Sequence, residues 1–187
     1  MTRFGIVILL ALPIVACSGR GPTAPDAVST DHSVAASSVA SVTAKDQGQV
    51  PFNARLSGTS VLTFLSPTEV LENFSGIGTA THLGSFTAEQ QHTINLLTTE
   101  VLEGTFTFTA ANGDTVLGTY NGLGTPLTPG LIQFEGSFTI IGGTGRFSEA
   151  TGEGDMSGLI DASGFPASAT AALTLAGTIS SPGRSQP

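Results

Sequence analysis

Few residues in this sequence have the types and spacing that chemistry needs. Glu103 and Glu135 open two equivalent strands, Glu103-Gly104-Thr105-Phe106-Thr107-Phe108 and Glu135-Gly136-Ser137-Phe138-Thr139-Ile140, and a repeated carboxylate invites an acid/base reading. Both lie in the threonine phase of their strand, opposite Phe106 and Phe138, so both should face solvent. In a strand meander they stand two strands, about 10 Å, apart, too far for close cooperation. No catalytic residue is assigned.

His82 and Tyr120 are better placed, because both fall in the phase that the alternation gives to the interior. His82 either lines a cavity or points outward near a strand end; an enclosed Tyr120 needs a hydrogen-bond partner. Phe106 and Phe138 share that inward phase and join them as candidate cavity-lining residues. His82 and His92 do not make a metal site without convergent carboxylates. Gly-x-Ser-x-Gly, His-Glu-x-x-His and calcium-loop patterns are all missing, so neither a cofactor nor a metal is expected. Gly142, Gly143 and Gly145 suggest a phosphate cradle, but a dinucleotide fingerprint needs glycine where Ser148 stands, and then a helix. They are expected to form a turn, with Arg146 pairing to Glu149 or Glu153 beside it.

The elements that hold these residues read as strands. The chain has 187 residues with Gly 24, Phe 11, Trp 0 and only 11% charged residues, a composition of β-structure with many tight turns. The net charge is -8, and Arg55 and Arg146 are the only cations between Pro51 and Ser180, so a basic groove for nucleic acid is excluded. Period-two alternation starts near Asn53. Strands are expected from there to Phe64, over Phe74 to Leu83 and over His92 to Leu97, with a loop at Pro67 to Asn73 and a brief helical turn at Thr87 to Gln90. Leu102 to Gly122 reads as a hairpin. A three-residue Ala111-Asn112-Gly113 loop with Gly113 left-handed pairs Phe106 with Gly118 and Gly104 with Tyr120, so that each glycine faces an aromatic ring. With the repeat of this unit and a last strand near Ser168 to Ser180, the count is eight amphipathic strands and no helix to cover them. Closure into an eight-stranded antiparallel barrel removes exposed edges; a two-sheet β-sandwich is the alternative.

Upstream, Met1 to Ala16 carries Arg3, an apolar run broken by Pro13 and then small residues, the pattern of a secretory signal peptide. Ile14-Val15-Ala16-Cys17 resembles a bacterial lipobox, which implies an acylated Cys17 as mature N-terminus and lipid anchorage in the cell envelope, at the outer membrane in a host with two membranes. The expected organisation is therefore signal peptide 1–16, a disordered Ser/Ala/Pro-rich tether 17–50, a barrel domain 51–181 and a flexible tail 182–187.

The corner Gly142 to Gly154, GGTGRFSEATGEG, resembles that of the allene oxide cyclase and dirigent proteins, where a GGTG or GGSG turn, an aromatic residue and Ala-x-Gly join two barrel strands. The resemblance runs over Leu102 to Ile160. It implies a lipocalin-like barrel with a central cavity, hydrophobic ligands and oligomers in some members, but matches no catalytic residue here. Three functions follow as expectations: a lipid-anchored barrel binding a small hydrophobic molecule, a cyclase or isomerase working inside the same barrel, or a structural or adhesive envelope module with a packed interior.

Overall fold

The computed structural model describes residues 48–180 and 182–183. The signal peptide, Cys17 and nearly all of the tether lie outside the described residues, as does most of the tail. Eight strands follow one another: β1 Gln49–Ser66, β2 Glu69–Ala80, β3 Gly84–Asn95, β4 Glu100–Ala110, β5 Thr115–Thr128, β6 Leu131–Gly143, β7 Gly152–Asp161 and β8 Ser168–Ser180, with one 3-10 turn, Gly145–Phe147, between β6 and β7. Each pairs antiparallel with its neighbour in sequence, and β8 pairs back onto β1 from Gln49↔Ser180 to Val61↔Ser168, which closes the ring. The closed barrel, not the sandwich, is the architecture.

Alternation decides which side chains fill it. Even-numbered residues of β1 to β3 and β5 to β7 point inward, as do odd-numbered residues of β8 such as Leu173 and Leu175. The β4–β5 hairpin turns through Ala111-Asn112-Gly113 with Gly113 at φ 88°, pairing Phe106 with Gly118 and Gly104 with Tyr120 in the register the sequence implies. On β4 the register shifts between Val101 and Gly104, where Glu103 adopts φ 54°; Leu102 and Glu103 both face outward while Val101 and Gly104 face in.

Three local expectations are corrected. Pro67 to Asn73 is not a loop: the turn takes only Pro67 and Thr68, and β2 starts at Glu69. Thr87 to Gln90 is strand, because β3 runs from Gly84 and pairs along its length with β2. His82 is not on a strand but in the β2–β3 turn, at φ 67° and exposed.

The barrel is filled unequally along its axis. At the end that carries the β2–β3, β4–β5 and β6–β7 connections, Phe52, Phe86, Phe108, Ile140, Phe147 and Leu175 are fully or almost fully buried. The Phe86 and Phe108 ring centroids lie 4.6 Å apart, and so do those of Phe106 and Phe108. Each such ring contributes about 1.5–3 kcal/mol by leaving water. The corner Gly142 to Gly154 caps this end. Gly145, at φ 57°, presses against the Asp114 carboxylate, and Arg146 bridges turns: its Nη2 donates to the His82 carbonyl, its Nε lies 3.8 Å from Asp114 Oδ2, and its guanidinium sits 4.9 Å over the Phe147 ring. Arg146 thus ties down the corner through Asp114 and His82, not through Glu149 or Glu153.

Candidate ligand cavity and its buried polar chain

The opposite end, where β1–β2, β3–β4, β5–β6 and β7–β8 connect, is not filled. There the barrel holds a cavity of about 140 Å³, walled by apolar side chains that include Leu62, Val70, Ile94, Val101, Ile132 and Leu173. Small residues leave the space: Gly124, Ala162, Ala169 and Ala171 stand where larger side chains would close it. Dry apolar cavities of this size admit a single aromatic ring.

Set into that wall is a chain of polar groups from β1, β2, β3 and β5. Ser60 Oγ donates to Glu72 Oε1 at 2.5 Å; Glu72 Oε2 lies 3.5 Å from His92 Nε2; His92 Nδ1 lies 2.6 Å from the Tyr120 hydroxyl. None of the four is more than 9% exposed. Glu72 and His92 meet because they are direct cross-strand partners between β2 and β3, both inward. His92 and Tyr120 meet although β4 lies between their strands. Gly104 of β4 is the partner of Tyr120, and a methyl group there would stand 2.8 Å from the Tyr120 ring, so the ring lies flat over the bare glycine and reaches β3.

The proton order follows from the partners. Burial alone would raise the Glu72 pKa, but the His92 hydrogen bond and charge together with the Ser60 hydrogen bond hold it below its ordinary value, so Glu72 is a carboxylate. A carboxylate facing Nε2 keeps a proton on that nitrogen, while Nδ1 faces the Tyr120 hydroxyl. Burial, and then the Glu72 charge, push the Tyr120 hydroxyl far above its usual range, so it remains a phenol. The result is a buried carboxylate–imidazole pair inside an apolar barrel, linked to a hydroxyl at the cavity wall. Gln90, also on β3 and 6% exposed, lines the same cavity, and its Nε2 has no hydrogen-bond partner among the described residues.

Of the residues that sequence reading proposed as cavity-lining, Tyr120 lines the cavity. Phe106 and Phe138 are buried but sit in the aromatic packing beneath it, with Phe106 6.5 Å from Tyr120 and 6.4 Å from Phe138 between centroids. His82 is corrected: its turn places it outside the barrel, with its ring 3.2 Å from the Pro51 carbonyl, because β2 ends at Ala80 before the alternation reaches it. Sequence reasoning missed Ser60, Glu72, Gln90 and His92 as a group. The available signal was parity, since Glu72 shares its phase with Phe74, and Gln90 and His92 share theirs with Phe86 and Ala88. Among the described residues no three His, Cys, Asp or Glu converge as metal ligands. Glu103 and Glu135 are both exposed.

The molecule is therefore a closed antiparallel barrel with a one-ended interior cavity. No family model and no curated protein matches the chain. Among solved structures it is similar to a pterocarpan synthase dirigent protein, at 13% identity and a TM-score of 0.37 over 70% of this chain and 88% of that one.

Proposed function

We propose that this protein is a lipid-anchored barrel of the cell envelope that holds one small hydrophobic molecule in its open end. The observation that carries the binding reading is the 140 Å³ apolar cavity with a polar chain at its wall, in a barrel whose other half is packed solid. A module needing only mechanical strength gains nothing from an unfilled half, because lost contacts around a void cost stability. The membrane partner is reached through Cys17, supported by the signal-like Met1 to Ala16 and the lipobox-like Ile14 to Cys17.

Native mass spectrometry of the protein taken from its producing cells tests the binding. A retained small molecule that is lost in Ala171→Phe, which fills the cavity, is the expected result. An empty protein that also fails to take up benzene overturns the reading. Cys17→Ser is expected to release the protein from membranes, and unchanged processing and membrane association would sink the anchorage.

A second reading, an isomerase or cyclase acting on an apolar substrate, is favoured by one feature: Tyr120, His92 and Glu72 form a continuous proton path ending at the cavity. Turnover that vanishes in both Tyr120→Phe and His92→Gln, with ligand uptake intact, would establish it.

A further inference from the structure

We propose that the cavity selects a neutral, ring-sized molecule carrying a carbonyl oxygen, and that Gln90 Nε2 donates the hydrogen bond that recognises it. The inference rests on the ligand-binding reading above and names the ligand's chemistry.

The cavity's polar groups are few, and most of their donors are already used. The Ser60 hydroxyl and the His92 Nε2 proton are directed at Glu72, and the Tyr120 hydroxyl is directed at His92. Gln90 is different. Its side chain is enclosed, it faces the cavity, and its amide nitrogen donates to nothing among the described residues. Its cross-strand neighbours inside the barrel are Phe74 on β2 and Phe106 on β4, neither of which offers an acceptor. A buried donor left unpaired is costly, so an acceptor oxygen arriving from the cavity recovers an interaction that the empty barrel lacks. Asn, Gln and backbone groups in apolar pockets orient ligands in this way.

Charge sets the rest of the selection. Glu72 and His92 line the cavity already paired with each other, and no lysine or arginine among the described residues lines it. An anionic ligand would give up its hydration in a medium of low polarity with no free cation there to pair with it. The oxygen that Gln90 binds therefore belongs to an uncharged group. A ketone or ester carbonyl meets the need with no donor of its own left to satisfy. The cavity's size limits its carrier to about one ring.

The test uses the full chain labelled with nitrogen-15 and three probes built on the same five-membered ring: cyclopentanone, cyclopentane and cyclopentanecarboxylate. Cyclopentanone is expected to bind about tenfold more tightly than cyclopentane, the worth of one recovered hydrogen bond, and at least tenfold more tightly than the carboxylate. It is also expected to move the Gln90 side-chain amide resonance, identified by its disappearance in Gln90→Met. In Gln90→Met the ketone is expected to lose its advantage and to bind no more tightly than the hydrocarbon. Equal binding of both in the unaltered protein, with the Gln90 amide unmoved, overturns the inference and leaves the apolar cavity standing. Binding of the carboxylate as tight as the ketone overturns the neutrality. Failure of every probe overturns the inference together with the ligand reading. If Gln90→Met does not fold, the resonance shift in the unaltered protein, assigned through bonds, decides alone.

Discussion

Tyr120 on β5 reaches His92 on β3 across a whole intervening strand, closing 2.6 Å between hydroxyl and imidazole nitrogen, because its partner on β4 is Gly104. The same absence of a side chain that lets the wall curve also lets the ring lie along it. Gly104→Ala is expected to lift the Tyr120 ring off the wall and break its bond to His92. This chain has one tyrosine and no tryptophan, so its intrinsic fluorescence reports that ring alone. A changed emission at room temperature and a stability loss of about 1–3 kcal/mol, as for overpacking elsewhere, are expected.

Alkaline titration reads the same residue. An exposed tyrosine ionises near pH 10.0, and burial followed by the Glu72 charge raises Tyr120 above that in the folded barrel. A raised folded pKa gives a stability contribution that is complete below the unfolded value and is lost as pH rises beyond it. Phenolate absorbance is therefore expected to stay absent in the folded protein above pH 10 and to appear only with unfolding. A smooth titration centred near pH 10 in the folded state would contradict the enclosed geometry.

Acid acts through Glu72 with the opposite sign. Its folded pKa lies below the ordinary glutamate value of 4.5, so its stabilising contribution is full above that pH and falls away as pH drops through the folded value. Thermal melts from pH 7 to 2 are expected to show this loss in the unaltered protein and a flatter profile in Glu72→Gln. Glu72→Leu is expected to be worse at every pH, since it strands the Ser60 and His92 donors at about 1–3 kcal/mol each.

The packed half has its own test. Phe108→Ala removes a fully buried ring stacked between Phe86 and Phe106 and is expected to cost about 3–5 kcal/mol in chemical denaturation. Its effect on cyclopentane uptake, where the variant remains folded, is expected to be small, because Phe108 does not line the cavity.

What the sequence disclosed and what it hid divide along contact range. The Asn112-Gly113 turn, the Gly104 and Gly118 pairings and the glycine corner were readable, because turn chemistry and short-range register lie within one hairpin. The pairing of Glu72 with His92 was not. It depends on where the β2–β3 turn falls, and the left-handed conformation of His82 that forms this turn is carried by a residue with no glycine-like signature. Placing His82 on the strand and opening β2 at Phe74 left Glu72 in a loop, so a carboxylate facing inward went unseen. The cavity itself was beyond reach, since alternation says which residues point inward but not how far they fill the space.

Arg146 gathers the His82 carbonyl, Asp114 and the Phe147 ring, and its own carbonyl accepts from the Gly183 amide at 3.1 Å, so one residue clasps the far end of three hairpins with its side chain and the chain's return with its backbone. That arrangement divides labour along the barrel axis. The clasped end is held through one arginine, while the turns at the other end surround the cavity and are tied to one another by backbone hydrogen bonds, Leu96 N to Thr68 O, Gly124 N to Thr99 O and Ala162 N to Gly130 O, that ask nothing of the side chains. Substitutions there can vary freely in evolution, retuning what the barrel admits without endangering its closure. Descendants of such a chain would be expected to differ most in their β1–β2, β3–β4, β5–β6 and β7–β8 connections, and to acquire new ligands by exchanging a rim over an unchanged base.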